Sequence, residues 1–236
     1  MNKTGIEYCD YTWNPATGCE LGCNYCYARK IAERFKGGKA FPNGFKPTFH
    51  PERLKEPHKL GTKWNCPEVW AKGSTIFVCS MADLFGDWVP DTWINEVMLA
   101  SKRANRHTYI FLTKNPKRYQ TIPGSCFQSN FWFGASVTRL EDTHRIDTIQ
   151  NRVAGDNKFI SFEPLLGDPG RLDLTDIKQV IVGAQTNPNK CAELESILKI
   201  CEAADEVGAK VFMKDSLQGR WCDRELRREL CWSVHK

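Results

Sequence analysis

Three cysteines within one short run, Cys19-Glu20-Leu21-Gly22-Cys23-Asn24-Tyr25-Cys26, constrain this chain more than any other feature. The spacing is C-x3-C-x2-C, with a glycine before the first cysteine and an aromatic before the third. Three thiolates this close can converge on one metal centre, and an iron–sulfur cluster usually takes four. A cluster held by three leaves one iron open, which points to chemistry on a bound ligand. Structural zinc is the competing reading, with Cys9 as a fourth thiolate, because zinc sites close tetrahedrally. A ferredoxin run, C-x2-C-x2-C, is absent. Disulfides need an oxidising compartment, whereas the chain starts without an apolar leader and its eleven cysteines are an odd number. The expectation is a reducing cytoplasm, with the thiols acting as ligands or small core residues.

The 236 residues can bury one sizeable core, so a single domain over 1–236 is expected. No apolar stretch approaches the 18 or so residues of a membrane helix, so no membrane partner is expected. A net charge of +5 leans only mildly toward a polyanionic partner.

Short apolar runs recur at Thr75–Cys79, Thr108–Leu112, Phe131–Val137, Lys158–Phe162, Gln179–Gly183 and Lys210–Met213, with a weaker one at Ile6–Thr12. Near-continuous apolar runs mark parallel strands buried on both faces. Helical periodicity fills Asp91–Asn105, Leu140–Val153 and Ala192–Val207. This alternation predicts an α/β fold with a parallel sheet, and six or seven strands fit a partial (β/α) TIM-like barrel. A Rossmann sheet competes, but no GxGxxG follows any strand.

Barrels work at the C-terminal ends of their strands. That rule nominates Ser80 and Asp83, Thr113 and Lys114, Ser136, Thr138 and Arg139, then Glu163, Gly183 and Gln185, and finally Lys214 and Asp215. Glu163 and Lys214 stand out, because a charge directly after a strand core is costly unless it is paired or used.

Between Lys36 and Lys72 lies an insertion of Gly, Pro, Lys and aromatics, too long for a minimal loop. Phe41, Phe45, Phe49, His50 and Trp64 are candidate stacking platforms among its basic residues, and the plainer reading is a lid over the barrel mouth. Residues 216–236 read as a charged helix packing on the barrel through Cys222, Leu226 and Leu230. Cys191, Cys201, Cys222 and Cys231 contain no C-x2-C pair, so core or surface thiols are expected there rather than a second cluster.

The cysteine run resembles the signature of the radical S-adenosylmethionine (radical SAM) superfamily. Together, DYTWNPATGC, CSMADLFGDWVP, FLTKNPKRY, GASVTRLEDTHRI, SFEPLLG and VGAQTNP are similar to short phage and bacterial "three-Cys-motif" proteins, over about Tyr8 to Lys214. The resemblance implies a 4Fe-4S cluster on Cys19, Cys23 and Cys26, with S-adenosylmethionine chelated at the open iron. It further implies reductive cleavage of that cofactor to a 5′-deoxyadenosyl radical, which abstracts hydrogen from a substrate. Tyr25 then lies by the adenine, Ser80 and Asp83 meet the methionyl ammonium, and Ser136, Arg139 or Lys114 meets its carboxylate. Ser136 or Glu163 lies near the ribose. One departure is Gln185, which stands where relatives carry Glu; an amide can still hydrogen-bond a ribose hydroxyl. Glu163 and Lys214 remain as catalytic candidates.

The expected activity is therefore a cytoplasmic radical SAM reaction in which the cofactor carries the difficult step. A low-potential flavodoxin- or ferredoxin-like protein would donate the electron. The basic-aromatic insertion and the mild positive charge favour a nucleic acid or nucleotide substrate. The alternative is a non-catalytic binding module stabilised by zinc or a closed cluster.

Overall fold

The structure is a computed structural model that describes residues 1–59, 73–186, 189–190, 193–221 and 225–235. The chain divides into two compact units. One comprises Met1–Thr113, Arg118–Phe131 and Ser233–Lys236; the other comprises Lys114–Lys117 and Trp132–Trp232.

The first unit carries β1 (Asn2–Lys3), β2 (Tyr11–Trp13), β3 (Ala16–Thr17), α1 (Tyr27–Arg34) and β4 (Thr48–Phe49). It continues with a short helix α2 (Glu56–Lys59), then β5 (Thr75–Val78), α3 (Asp91–Arg103) and β6 (Thr108–Thr113). The second holds β7 (Phe131–Ser136), α4 (His144–Arg152), β8 (Lys158–Phe162) and β9 (Gln179–Val182). A small hairpin follows, β10 (Gln185–Thr186) with β11 (Asn189–Lys190), then α5 (Leu194–Glu206) and β12 (Lys210–Met213).

Eight strands belong to one mostly parallel sheet: β1, β2, β5 and β6 from the first unit, and β7, β8, β9 and β12 from the second. Only β1 on β2 is antiparallel among the sheet pairs described. Every residue of β5, β7, β8 and β9 is buried. This is why the strands read as unbroken apolar runs, since helices cover both faces of a parallel sheet. The expected α/β alternation is present, with α3, α4 and α5 each between successive parallel strands.

The cores are aromatic. In the first unit Trp13 meets Tyr109 edge-on, and Phe85 packs on Phe111 and Tyr119. In the second, Trp232 packs across Trp132 and Phe159. Burying each such ring contributes about 1.5–3 kcal/mol.

Two expectations are corrected. Among its described residues the segment after Leu217 is not helical. It runs antiparallel along β12, where Met213 N donates to Arg227 O at 2.8 Å and Glu229 N to Val211 O at 3.1 Å. Buried Gln179 fixes the same segment: Cys231 N donates to its Oε1 at 2.9 Å, and its Nε2 donates to Glu229 O at 3.1 Å. An otherwise bare sheet edge offers backbone partners that a surface helix would lack.

The insertion is the second correction. Phe41, Phe45 and His50 are buried, and Phe49 stacks on Trp93 at 5.1 Å. These rings are spent on packing and present no stacking face; Trp64 lies outside the described residues.

Candidate functional site

The three cysteines occupy the loop between β3 and α1, and all three are free thiols at intermediate exposure. Backbone bonds pin the loop at its start. Gly18 N donates to Met81 O at 2.9 Å and Cys19 N to Phe45 O at 3.2 Å. Gly18 has φ +87°, and a β-carbon there would sit 2.3 Å from Lys46 O. Only glycine fits this approach.

At the other end Cys26 caps α1, its Sγ accepting from Arg29 N at 3.4 Å. Cys19 and Cys26 both pack, with Met81, against a small apolar cluster of Ala28, Ala32, Phe41 and Phe45.

Burial pushes the Cys19 thiol up to about 11, with smaller repulsions from Asp83, Cys23 and Cys26. Cys23 and Cys26 both lie within electrostatic reach of Cys19. Among the described residues no three ligating side chains converge on a single point. A closed zinc ion demands that convergence, with Zn–S about 2.3 Å. Three free cysteine thiols on one loop are a donor set of the kind that zinc or an iron–sulfur cluster takes. Cys9 is fully buried, its amide bonded to Ile6 O, and lies in the core.

The loop after β5 adjoins the cysteine run through that Gly18–Met81 bond and a Gly18–Ala82 bridge. Ser80 and Asp83 are on it, as expected. Asp83 is buried, and its Oδ1 accepts from the Thr113 hydroxyl at 2.6 Å and from Phe85 N at 3.1 Å. That oxygen therefore shapes the loop. Asn14 does the same from the other side, its Oδ1 accepting from Ser80 Oγ and Met81 N. Tyr27 reaches across, donating to Ser80 O at 2.9 Å. Sequence reasoning chose Tyr25, which is half-buried in the run, and missed Asn14 and Tyr27. The Trp-Asn-Pro segment directly after β2 was the available signal.

In the second unit two of the nominated strand-end residues, Glu163 and Lys214, meet. The Lys214 ammonium donates to Glu163 Oε1, and both side chains are largely shielded from solvent. Gly183 lies beside them: a β-carbon there would sit 3.0 Å from Lys214 Cδ and 3.4 Å from Glu163 Cγ. Ala184 N donates to Ser216 Oγ at 3.0 Å.

Ser136 is buried at the end of β7, in register with Ser161 of β8, whose buried hydroxyl has no partner among the described residues. Around Ser136 a network that the sequence did not reveal holds the loop. Arg145 donates to Ser136 O and pairs with Asp142, both at 2.7 Å, and Asp142 accepts from Thr138 Oγ1 at 2.6 Å. Arg139 is exposed, with no partner for its guanidinium among the described residues. Lys114 is half-buried, and Gln185 sits in the β10–β11 hairpin opposite Lys190.

Of the four later cysteines, Cys201 is buried on α5 and the Cys231 thiol donates to Lys178 O. Cys191 and Cys222 lie outside the described residues.

A family model for proteins of unknown function, DUF5131, matches residues 3–231. No curated protein gives a significant match. Solved structures similar in fold include a cysteine-to-serine variant of spore photoproduct lyase, with TM-score 0.63 and 12% identity over 90% of this chain and 79% of that one. A cysteine-to-alanine variant with dinucleoside spore photoproduct gives 0.57 and 12%, over 87% of this chain and 63% of that one. A doubly substituted form with bound AdoMet and the same dinucleoside gives 0.51 and 12%, over 87% and 64%. The chain thus spans less than two-thirds of the length of the two dinucleoside-bound chains. At this identity the likeness is one of fold. No helix among the described residues is long and apolar enough to cross a membrane.

Proposed function

We propose that this chain, which belongs to the DUF5131 family of proteins of unknown function, is a radical SAM enzyme built on a partial (β/α) barrel. The observation that carries the reading is the loop of three free thiols at Cys19, Cys23 and Cys26, hydrogen-bonded to the loop after a parallel strand. The fold's similarity to a solved structure with bound AdoMet supports it. When bound, a 4Fe-4S cluster would supply one electron to S-adenosylmethionine, releasing a 5′-deoxyadenosyl radical that takes hydrogen from a substrate.

The chain's own residues bind and orient. Cys19, Cys23 and Cys26 would hold the cluster, and the apolar set packed on Cys19 and Cys26 would shield one side of it. Ser80 and Asp83 serve the methionyl ammonium, and Tyr25 serves the adenine. Lys114, Ser136, Arg139 and Gln185 supply the remaining polar contacts to the cofactor. Glu163 and Lys214 form a shielded acid–base pair that can hold or move a proton at Glu163 Oε1. A nucleic acid or nucleotide substrate accords with the positive net charge and with the dinucleoside bound by the structural neighbour. A low-potential electron donor and a cytoplasmic setting complete the reading.

Anaerobic reconstitution with iron and sulfide, followed by EPR of the reduced protein with and without S-adenosylmethionine, tests it. A 4Fe-4S signal that changes on adding the cofactor, with slow formation of 5′-deoxyadenosine, is expected. Bound zinc, or a signal indifferent to the cofactor, overturns it in favour of a binding module.

A further inference from the structure

Helix α1 buries Ala28 and Ala32 and turns the rest of its surface outward. Its exposed stripe runs Tyr27, Lys30, Ile31, Arg34, Phe35, which is the i, i+3, i+4, i+7, i+8 spacing of one helix face. Tyr27 is 56%, Ile31 39% and Phe35 55% exposed, and Leu21 in the cysteine loop is 40% exposed. Only three other large hydrophobic side chains are exposed among the described residues, Leu99, Leu140 and Val207, and they are scattered. Single exposed apolar residues are ordinary, whereas a concentrated group with a polar rim marks an interaction surface.

The rim is basic. Lys30, Arg34, Lys36 and Lys39 are exposed and have no anionic partner among the described residues. The nearby carboxylate, Glu33, accepts from Phe45 N at 2.9 Å, and Arg34 lies over its own neighbour's ring, Phe35, at 5.5 Å. Glu20 and Glu33 are exposed as well, so the rim is basic on balance; an apolar centre inside such a rim is the anatomy of a protein interface steered by charge. A nucleic-acid face would present open stacking rings; here Ile31 and Leu21 are aliphatic, Tyr27 is tied to Ser80 O, and Arg34 already lies over Phe35.

We propose that this stripe docks an acidic, low-potential electron-transfer protein. The inference rests on the radical SAM reading and deepens it. The stripe begins at the residue after Cys26, and Leu21 lies between Cys19 and Cys23, so a protein seated here is beside the proposed cluster ligands. In the step served, one electron leaves the reduced donor, which is oxidised by one electron, and enters the cluster. No group or proton passes to this chain.

Flavodoxin is the probe, added to the reconstituted holoprotein. Its affinity is measured by calorimetry at low and high salt, and cluster bleaching is timed with reduced flavodoxin and, separately, with dithionite. Ile31→Asp and the double variant Lys30→Glu/Arg34→Glu are compared with Leu140→Asp, an exposed apolar site off the stripe. The expected result is at least tenfold weaker binding and slower bleaching by flavodoxin in both stripe variants. Dithionite bleaching and the Leu140→Asp variant should be unchanged, and wild-type affinity should fall with salt.

Wild-type behaviour of the stripe variants overturns the proposal. So does loss of binding to a fluorescent single-stranded oligonucleotide while flavodoxin binding is kept, which assigns the face to nucleic acid. Failure to assemble any cluster sinks the radical SAM reading instead, and the calorimetric titration of flavodoxin still reports on the face.

Discussion

Asn14 holds Ser80 in place: its Oδ1 accepts the Ser80 hydroxyl at 3.2 Å and, at the same atom, the Met81 amide at 3.0 Å. Met81 O in turn accepts from Gly18 N, immediately before Cys19. Asn14→Ala removes the acceptor and leaves two donors to find water, at a cost of about 1–3 kcal/mol. The expected outcome is a modest fall in Tm with a larger loss of reconstituted iron. Asn14→Asp, which keeps the acceptor, should recover most of both.

Gly18→Ala is the sharper perturbation of the same loop. A β-carbon would overlap the Lys46 carbonyl, and the backbone stays in the left-handed region. Such strain costs about 1–3 kcal/mol before the clash is added. Iron and sulfide analysis after reconstitution should show cluster content well below half of wild type, with far-UV circular dichroism retained. Full iron content in a folded variant would refute the tight approach.

The Glu163–Lys214 pair can be separated from cofactor binding. Glu163→Gln leaves a shielded ammonium with an amide in place of a carboxylate, costing about 1–2 kcal/mol. Substrate turnover should fall at least tenfold, while slow 5′-deoxyadenosine release without substrate continues. Equal loss of both would place Glu163 at the cofactor.

Acid sensitivity centres on His107. Ser74 N donates to its Nδ1 at 3.2 Å, and its Nε2 lies 3.2 Å from the Arg106 Nε donor and 3.1 Å from Pro57 O. Burial first, then the Arg106 charge, lowers its pKa to about 4. The unfolded chain therefore binds a proton that the folded one refuses between about pH 6.5 and 4. Stability from this site is whole above pH 6.5 and lost as pH falls, by about 1–2 kcal/mol. A Tm series from pH 7.5 to 4.5 should slope less steeply in His107→Gln than in wild type.

Gln179→Leu should destabilise the second unit by about 2–4 kcal/mol, since three of its carbonyl partners and the Cys231 amide lose a buried mate. Denaturant melts followed by tryptophan fluorescence, with Trp232 as reporter, check this.

The strands were legible because a strand buried on both faces has no choice of residue type; Lys158–Phe162 and Lys210–Met213 match to the residue. β1 at Asn2–Lys3 has no apolar run to mark it, and the strand expected at Ile6–Thr12 is β2, Tyr11–Trp13. Its run is short, and its pairing with β5 is decided by distant sequence. The tail misled because Leu226 and Leu230 keep helical spacing in a segment whose backbone partners lie on β12. Asp83 was visible as a strand-end acid, but its bond to Thr113 spans thirty residues of sequence. Arg145 holds the Ser136 carbonyl and Asn14 the Met81 amide, backbone partners that carry no residue-type signal, so only the Trp-Asn-Pro segment pointed to Asn14.

The strip of chain along β12 has a further consequence for how copies of this protein treat one another. A bare parallel edge offers a row of free N–H and C=O groups that another molecule's strand can zip onto. Residues 227–229 fill that row from within. A C-terminal fusion that pulls them away would convert a self-limited fold into a sticky one, and light scattering on such a fusion would register the change.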